Sequence, residues 1–386
     1  MKVINIGVFA DEPNLGSGFS VVCGKFAEYL SKYSDLRVIF FGRWGQERYF
    51  RKTSLKGNFP YEYVPCQGGT WDKDLVDAIV KRYKIDVLLT IDDWWSIDAF
   101  LHASKSHRIP FHFITPLDAL PIPKEAYKKF RQVDALYIPN RSWKTIKMHE
   151  EKVAEGDKRK KVNVIYHPYG CDTKIFNPIP SLKNNDFTFI WIGRHEPRKN
   201  LRSAILAFEK MHKKYDVRLL IRTNWKIRSA IDMRIYIAKR RLPVIREQSV
   251  KCSHGEITKT YNRGHALLCT SKAGGFELQI IEAMACGIPA LVTDWNFMNE
   301  HILHEQNGFR ISYDNLRKQS HGGIWANIDV EELANYMRLC VKNQKTISKM
   351  GQWARKFVEE KYRWSDSAKA LYESITSNLD SRNKKC

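Results

Sequence analysis

Two cations lie close together in the segment WIGRHEPRKN, which covers residues 191–200. An apolar strand pattern ends at Gly193, and Arg194 and Lys199 then flank a short turn before a helical pattern begins near Asn200. A guanidinium offers a planar pair of donors and an ammonium offers a point charge, so the two together suit a diphosphate. A basic turn with solvated charges is the alternative interpretation, and this segment alone supports both.

Two glycine-containing turns could bring backbone amides to the same kind of ligand. The first, GSG at residues 16–18, lies between a strand pattern and a helical pattern. The second, GG at residues 274–275, precedes a short helical pattern that carries Glu282. Glycine lets the main chain approach a ligand closely, and the N–H groups at a helix start attract anions. The first turn lacks the third glycine of the dinucleotide fingerprint, so an ordinary turn remains an alternative there.

Alternating strand and helix patterns must position these turns. In the first half, the apolar strand patterns are KVINIGVF (2–9), LRVIFFG (36–42), IDVLLTI (85–91), PFHFIT (110–115) and DALYIPN (134–140). Segments with helical spacing separate them, and one more is predicted to begin near Ser142. This alternation is typical of a parallel sheet built from β-α-β units.

A second series of the same kind follows the proline-containing linker NPIPSLKNND at 177–186. Its strand patterns are FTFIWIG (187–193), VRLLIRT (217–223), HALLCTS (265–271) and PALVTD (289–294). Helices are predicted between them, one of them near 226–240, and a further helix at 297–303 follows the last strand. Three helices, near 330–342, 347–361 and 364–378, close the series. We therefore predict an α/β fold with two Rossmann-like, doubly wound domains facing a central cleft, with ligands at the carboxyl ends of the strands.

The composition supports a two-domain globular protein. A chain of 386 residues is too long for one hydrophobic core, and 43% of its residues are hydrophobic. The eight cysteines are scattered without a CxxC pair, which indicates free, mostly buried thiols in the cytosol and neither a zinc site nor a disulfide framework. No stretch approaches the roughly 20 apolar residues of a membrane span. The N-terminal segment is interpreted as a strand and not as a secretory signal.

The chain is strongly basic. Lys and Arg number 64 against 42 Asp and Glu, which leaves a formal net charge of +22. Such an excess is compatible with phosphate-bearing substrates, with an anionic membrane surface, with nucleic acid or with a merely solubilising surface. No nucleic-acid-binding motif accompanies the charge, so we do not expect a nucleic-acid partner.

Four stretches carry a resemblance to a known family. They are HPYGCDTKIFNP (167–178), the basic turn (191–200), GGFELQIIEAMACGIPALVTD (274–294) and HEQNGFRI (304–311). In this order they resemble the "NGVDxxxFxP", "GRxxxxK", "EGFGLPxLEAMACGxPV" and "NG" elements of the retaining GT-B glycosyltransferases of family 4, the glycosyl transferases group 1. EAMACGIPA at 282–290 matches nearly letter for letter. The first half of the chain resembles the family mainly in its β/α order and glycine turn.

The resemblance implies a fold and a function. Residues 1–178 would form an acceptor-side domain, residues 179–362 a domain for the nucleotide-sugar donor, and residues 363–386 a helix that returns to the first domain. The activity would be metal-independent transfer of a sugar from a nucleotide-diphosphate sugar, with UDP or GDP as the nucleotide. No cofactor is implied beyond this substrate.

It also implies roles for individual residues. Arg194 and Lys199 would neutralise the diphosphate as it leaves, and Glu282 would accept hydrogen bonds from the ribose hydroxyls. The remaining donor-site residues would act mainly through their backbones in two turns, one in each domain, and comprise Gly16, Ser17, Gly18, Gly193, Gly275, Phe276 and Leu278.

One position departs from the family pattern. The motif has a glutamate eight positions before Glu282, and this chain has Gly274 there. Glu277 stands where the motif has glycine, and Gln279 where it has proline. We hypothesise that Glu277 takes over part of the missing carboxylate's role on the transferred sugar. The competing hypotheses are an altered contact with the donor sugar and a loss of catalysis.

The acceptor side is less clearly marked. FHFITPLDALPIP at 111–123 resembles a subgroup of the family with "PxDGxPxP" at this point, which implies that Asp118 polarises the acceptor or holds the sugar. His112 lies within a strand pattern and is expected to pack in the core. The pair Asp92-Asp93 lacks a third metal ligand, so it is interpreted at most as acceptor-side lining.

These observations predict a cytoplasmic retaining glycosyltransferase. Its partners would be a nucleotide-sugar donor, a glycan, lipid-linked or protein acceptor, and, through the basic charge, the surface of an anionic membrane. The alternative is a GT-B protein that has lost transfer and serves as a binding or scaffolding module.

Overall fold

The structure, a computed structural model, describes residues 3–44, 59–153, 161–225, 232–248, 254–320 and 322–383. The chain divides into two compact units. Unit 1 comprises Met1–Leu117, Ile122–Gly170 and Trp364–Cys386, and unit 2 comprises Asp118–Pro121 and Cys171–Arg363. Each unit thus contains more than one segment of the chain.

Unit 1 is built on a parallel sheet of seven strands in the order β3-β2-β1-β4-β5-β6-β7. The strands are β1 (Ile4–Asp11), β2 (Leu36–Arg43), β3 (Glu62–Pro65), β4 (Val87–Ile91), β5 (Phe111–Ile114), β6 (Ala135–Ile138) and β7 (Val164–Tyr166). The helices between them are α1 (Gly18–Leu30), α2 (Lys73–Tyr83), α3 (Asp98–His107), α4 (Lys124–Phe130) and α5 (Ser142–Val153). The strand order reverses between β1 and β4, which is where doubly wound sheets bind ligands.

Aromatic side chains fill the core of unit 1. Phe9 of β1 stacks on Phe41 of β2 with ring centroids 4.9 Å apart, and it meets Phe100 of α3 edge to face at 5.1 Å. All three side chains are fully buried. A sheet covered by helices on both faces buries both sides of each strand, which explains the continuous apolar runs in the sequence.

Unit 2 is built on a second parallel sheet, of six strands in the order β10-β9-β8-β11-β12-β13. These strands are β8 (Phe187–Ile192), β9 (Val217–Thr223), β10 (Val244–Gln248), β11 (Ala266–Cys269), β12 (Ala290–Thr293) and β13 (Gly308–Ile311). An antiparallel hairpin of β14 (Tyr313–Lys318) and β15 (Ile324–Ile328) follows β13. The strand order reverses between β8 and β11, so the carboxyl ends of these two neighbours mark the expected ligand edge.

The described residues of unit 2 form six helices. They are α6 (Leu201–His212), α7 (Met233–Arg240), α8 (His254–Asn262), α9 (Leu278–Ala285), α10 (Val330–Lys342) and α11 (Gln344–Lys361). Short 3₁₀ turns occur in both units, at Pro13–Leu15, Trp94–Ser96, Pro180–Leu182, Pro197–Lys199 and Met298–His301. The turn Pro197–Lys199 joins β8 to α6 and carries residues of the site described below.

The last helix, α12 (Trp364–Asn383), belongs to unit 1. Tyr372 of α12 stacks on Tyr33 with ring centroids 3.8 Å apart and donates to Asp35 Oδ2 at 2.8 Å. At the start of the helix, a Cβ atom on Gly170 would lie only 2.4 Å from the backbone nitrogen of Trp364. Glycine is therefore required at residue 170 for the chain to pass this close.

The alternation of strands and helices predicted from the sequence is present in both units. The predicted helix at 297–303 is instead the 3₁₀ turn Met298–His301. The helical pattern near 226–240 corresponds to α7, while residues 226–231 lie outside the described part of the chain. The strands β3, β7, β10, β13, β14 and β15 were not predicted. The described cysteines, at 23, 66, 171, 269, 286 and 340, are all buried and free of disulfide bonds.

Candidate functional site

Lys199 and Glu277 form a buried ion pair at the carboxyl edge of the unit 2 sheet. Lys199 ends the 3₁₀ turn that follows β8, and Glu277 precedes α9 in the loop that follows β11. The Nζ atom of Lys199 lies 2.6 Å from each carboxylate oxygen of Glu277, whose side chain is 2% exposed. Burial raises the pKa of the Glu277 carboxyl, but the charges of Lys199 and Arg198 outweigh it and hold this pKa below its ordinary value. Glu277 is therefore a carboxylate at neutral pH.

Arg198 is the second cation of this cluster. Its Nη1 atom donates to the carbonyl oxygen of Ala273 at 2.9 Å and lies 3.4 Å from Oε1 of Glu277. Its Nε atom lies 3.7 Å from Oδ2 of Asp118. Arg194, which the sequence suggested as the partner of Lys199, is exposed and forms no ion pair with the described residues. The structure thus brings Lys199, Glu277 and Asp118 together around an arginine that the sequence reasoning did not select.

The end of β11 fixes the turn that carries both cations. The backbone N–H of Lys272 donates to the carbonyl oxygen of Arg198 at 2.7 Å. The hydroxyl of Thr270 donates to the carbonyl oxygen of Asn200 at 2.9 Å and accepts from the indole N–H of Trp191 at 3.1 Å. Because these contacts hold the main chain, Arg198 and Lys199 are presented from a rigid turn.

Glu277 holds its carboxylate in place at a conformational cost. Its φ of 57° and ψ of 69° are left-handed, a conformation that costs a non-glycine residue roughly 1–2 kcal/mol. The carboxylate then lies over Gly274, where a Cβ atom would meet Oε1 of Glu277 at 2.3 Å. Gln279 adds a hydrogen bond from its Nε2 atom to Oε2 of Glu277. Residues 274 and 277 are therefore sterically coupled.

His301 supports the loop before α9 and was missed by the sequence reasoning. Its Nε2 atom lies 2.6 Å from the carbonyl oxygen of Phe276, and its Nδ1 atom lies 2.7 Å from the hydroxyl of Tyr362. Burial lowers the pKa of His301 to about 4, so the ring is neutral at pH 7. Since a carbonyl oxygen can only accept, Nε2 carries the proton and Nδ1 accepts from Tyr362. The tautomer is set by these two partners.

The remaining donor-side residues of unit 2 lie on the loop before α9, on α9 itself and at the end of β8. Leu278 is the first residue of α9, and Gly275 lies in the loop before it. Gly193 follows β8 and donates its N–H to the carbonyl oxygen of Arg222 at 3.2 Å. Glu282, on α9, accepts a hydrogen bond from the Tyr261 hydroxyl at 2.7 Å. Burial raises the pKa of Glu282 to about 7, although the Tyr261 hydrogen bond acts in the opposite direction.

In unit 1, the turn at residues 16–18 is held by a buried charge network. Ser17 caps α1 by accepting from the N–H of Ser20 at 3.1 Å, and its own hydroxyl donates to Asp11 Oδ2 at 2.5 Å. Arg43 pairs with Asp11 and with Asp92, each over 2.7 Å. Gly16 has a φ of 70°, and a Cβ atom on Gly16 or Gly18 would meet nothing within 4 Å. The two glycines of the turn therefore face open space, while Ser17 between them is held by Asp11 and by the start of α1.

Two residues considered for the acceptor side are buried in unit 1. His112 is fully buried in β5, as expected, and its Nδ1 atom lies 2.7 Å from the Tyr137 hydroxyl. Asp92 is only 2% exposed and is engaged by Arg43, so it does not line an acceptor surface. Asp118, in contrast, lies in the segment Asp118–Pro121 of unit 2, and its side chain is 38% exposed.

Among the described residues, no helix combines the length and the apolar character needed to cross a lipid bilayer.

Comparison with known proteins connects the site to a family. Residues 172–357 match the family "Glycosyl transferases group 1". Over 96 residues the chain is 30% identical to sucrose synthase from Solanum tuberosum, a match that covers 25% of this chain and 11% of the relative. The chain thus matches only a small part of that protein's length.

Solved structures resemble the chain over nearly its whole length. Sucrose-phosphate synthase from Thermosynechococcus elongatus superposes with a TM-score of 0.78 at 13% identity, covering 98% of this chain and 100% of that chain. HepE from Anabaena, solved with UDP and glucose, superposes with a TM-score of 0.72 at 14% identity, covering 97% and 100%. A glycosyltransferase from Rickettsia africae has a TM-score of 0.72 at 16% identity, covering 98% and 99%.

These likenesses, together with the two parallel sheets, confirm the predicted GT-B fold with its two Rossmann-like domains. At identities this low they establish the fold and do not assign a substrate. The match to the family spans the segments of unit 2 that carry Lys199, Glu277 and Glu282.

Proposed function

We propose that this protein is a retaining glycosyltransferase that moves a sugar from a nucleotide-diphosphate sugar to an acceptor. The observation that carries the proposal is the pairing of Lys199 and Arg198 with Glu277 beside the start of α9. This cluster lies at the switch point of a doubly wound sheet. Cations next to a helix start form a site for a diphosphate, because side-chain and backbone donors then face the same anion.

The residues of unit 2 take up separate roles in this proposal. Lys199, together with Arg194 on the exposed side of its turn, stabilises the negative charge that develops on the diphosphate. Preorganised charges of this kind lower the barrier most when they are rigidly held. The amides of Gly275 and Leu278 face the phosphates and the sugar. Glu282 accepts hydrogen bonds from the ribose hydroxyls.

Transfer with retention then proceeds on one face of the sugar. The bond between the anomeric carbon and the diphosphate oxygen breaks, and the acceptor oxygen forms its bond to the same carbon from the same face. The acceptor's proton passes to an oxygen of the departing diphosphate. In this proposal Asp118, whose Oδ2 atom lies 3.7 Å from Nε of Arg198, polarises the acceptor hydroxyl or holds the sugar.

UDP and GDP sugars are the donors we propose. HepE was solved with UDP and glucose, which supports a uridine nucleotide for this fold. Isothermal titration with UDP, GDP and ADP tests the proposal. We expect at least one of them to bind, and to bind much more weakly to a Lys199→Ala variant. Absence of binding to all three would remove the proposal.

We propose that the reaction needs no metal, because Arg194, Lys199 and the amides at the start of α9 supply the positive charge and the donors that a metal would otherwise offer to the diphosphate. Dialysis against EDTA followed by titration with the bound nucleotide checks this point. We expect the affinity to be unchanged by chelation and by later addition of Mg²⁺. A dissociation constant that depends on Mg²⁺ would contradict it.

A second candidate function is a binding or scaffolding protein that has lost transfer. Gly274 favours it, because the family motif has a carboxylate at this position and this chain has no side chain there. The two candidates differ in turnover. Nucleotide binding combined with an absence of both hydrolysis and transfer, across a panel of UDP- and GDP-sugars, would favour the scaffold.

The proposed acceptor is a glycan, a lipid-linked sugar or a protein, and the proposed location is the cytoplasm, with peripheral contact to an anionic membrane. The buried cysteines of the described segments, which form no disulfide bond, and the net charge of +22 support this placement. Sedimentation with liposomes tests the membrane contact. Binding to vesicles that contain anionic lipid, and not to neutral vesicles, is expected at low ionic strength.

A further inference from the structure

Glu277 adopts a backbone conformation that glutamate seldom takes. Its φ of 57° is left-handed, and it lies immediately before the first residue of α9. Strained conformations of this kind persist where the rest of the structure requires the side chain in one particular place. The place here is defined by the ammonium of Lys199, which lies 2.6 Å from both carboxylate oxygens.

Gly274 provides the room that this arrangement needs. A Cβ atom at residue 274 would lie 2.3 Å from Oε1, 2.6 Å from Cγ and 2.8 Å from Cδ of Glu277. These distances are far below van der Waals contact, so any side chain at residue 274 would displace the Glu277 carboxylate. The observed position of the Glu277 carboxylate therefore depends on the absence of a side chain at residue 274.

The carboxylate changes the charge that the site offers to an anion. Arg198 and Lys199 carry two positive charges. Arg198 also faces the carboxylates of Asp118 and Glu196, at 3.7 and 3.5 Å. Among the described residues, Glu277 is the ion-pair partner of Lys199 and neutralises its charge. An ammonium has three N–H groups, and the two Glu277 oxygens occupy the directions of two. Within the described part of the chain, the third N–H of Lys199 has no hydrogen-bond partner, and its direction is set by the other two.

We propose that Glu277 is a positioning residue and an internal counter-ion for Lys199, and that Gly274 is retained to make room for it. In this role Glu277 directs the third N–H of Lys199 toward the diphosphate. Its negative charge also lowers the affinity of the site for the diphosphate, so that the nucleoside diphosphate product can leave. The inference rests on the proposed function, because it assigns the diphosphate to the Lys199 site.

The decisive variant is Glu277→Gln, which keeps the shape of the side chain and removes its charge. Inorganic pyrophosphate and UDP are the probes, measured by isothermal titration. We expect both to bind at least fivefold more tightly than to the wild-type protein, because a negative charge beside the anion site has been removed. We also expect the turnover number for donor hydrolysis to fall at least tenfold. Weaker or unchanged pyrophosphate binding would overturn the proposal, since a purely structural role predicts loss of affinity together with loss of thermal stability.

An exchange of the two residues tests the role of Gly274. Gly274→Glu alone is expected to lower the melting temperature and to abolish pyrophosphate binding, because its side chain collides with Glu277. The double variant Gly274→Glu/Glu277→Gly again offers one carboxylate to this region and gives the left-handed position to glycine. We expect it to bind pyrophosphate within threefold of the wild-type protein. An affinity that stays at the level of Glu277→Gln would overturn the assignment of Gly274.

A matched control breaks an ion pair at the amino-terminal ends of the strands of the same sheet, opposite the carboxyl ends where Lys199 and Glu277 lie. Asp186, just before β8, accepts from Nε of Arg218 at 2.6 Å. Asp186→Asn is expected to leave both affinities unchanged, and a change equal to that of Glu277→Gln would show that the effect is not local.

The outcomes separate this inference from the proposed function. If pyrophosphate binds, and binds more tightly to Glu277→Gln, but no nucleotide binds, the proposed glycosyltransferase function is rejected and the counter-ion role of Glu277 is retained. If UDP or GDP binds and the affinity does not change in Glu277→Gln, the proposed function is retained and the counter-ion role of Glu277 is rejected. A wild-type protein that binds neither pyrophosphate nor any nucleotide would remove both.

Discussion

The Tyr261 hydroxyl and Oε2 of Glu282 are joined by a hydrogen bond of 2.7 Å between α8 and α9. Tyr261 is fully buried, and the surrounding protein raises the pKa of the Glu282 carboxyl from 4.5 to about 7. Near neutral pH, Glu282 is therefore divided between its protonated and ionised forms. The proposed contact with ribose hydroxyls favours the ionised form, because a carboxylate accepts hydrogen bonds more strongly than a neutral carboxyl group and has no donor of its own.

Nucleotide binding is consequently expected to depend on pH. The affinity for UDP should rise as pH increases from 6 to 8, because the carboxylate that accepts from the ribose is the minor form at pH 6, is half populated at about pH 7 and is the major form at pH 8. Titration calorimetry across this range measures the effect. In Glu282→Gln the rise should be smaller, while the titration of the UDP phosphate itself is common to both proteins. Identical pH profiles for the two proteins would contradict the assignment of Glu282.

Removal of Lys199 should destabilise the protein. In Lys199→Ala the buried carboxylate of Glu277 keeps one charged partner among the described residues, Arg198 at 3.4 Å. Leaving one partner of a buried ion pair typically costs about 3 kcal/mol or more. Urea unfolding followed by tryptophan fluorescence measures this loss. The double variant Lys199→Ala/Glu277→Gln should recover much of it, because no buried charge then remains unpaired. A loss below about 1 kcal/mol in the single variant would show that the pair is not as buried as the structure indicates.

His301→Ala should loosen the loop before α9. The variant loses the hydrogen bond that Nε2 of His301 donates to the carbonyl oxygen of Phe276, and removing one partner of a buried hydrogen bond costs about 1–3 kcal/mol. We expect a destabilisation of this size together with a severalfold weaker affinity for UDP, both measured on the purified variant. Tyr362→Phe is the control, since it removes the hydrogen bond to Nδ1 and leaves the Phe276 contact in place. Equal effects of the two variants would argue against a specific role of the carbonyl contact.

Arg43→Met should destabilise unit 1. Arg43 is the counter-ion of both Asp11 and Asp92, and its side chain is 11% exposed. Two buried carboxylates without a counter-ion are expected to cost about 3–5 kcal/mol. Arg37→Met is the matched control, because the pair of Arg37 with Glu62 is exposed at the opposite edge of the sheet and is worth about 0–1 kcal/mol. Urea unfolding compares the two, and equal losses would contradict the difference in burial.

The buried elements of both sheets could be predicted from the sequence, because a strand covered on both faces leaves a continuous apolar run. The unpredicted strands lack this feature. β14 reads YDNLRK and is exposed at every residue, and β10 reads VIREQ and is a half-exposed edge strand. Backbone pairing with a neighbour defines such strands, and pairing leaves little trace in the residue types.

The site was predictable in part for a related reason. Lys199, Glu277 and Glu282 are marked by their positions in a family motif, and the structure brings the first two into contact. The spacing could not show that Arg198 and not Arg194 turns toward Glu277, because the 3₁₀ turn Pro197–Lys199 sets that direction. His301 gave no signal at all, since its partners are a backbone carbonyl and a tyrosine 61 residues further along the chain.

The position of α12 within unit 1 has a consequence for biosynthesis. Unit 2 is formed almost entirely by one continuous stretch, Cys171–Arg363, whereas unit 1 also requires the stretch that begins at Trp364. During translation the ribosome delivers the segments that form the first sheet early and the helix that covers α1 last. A nascent chain that ends before Trp364 therefore lacks the helix that packs on α1, and the apolar surface that α12 covers stays exposed until α12 has been synthesised.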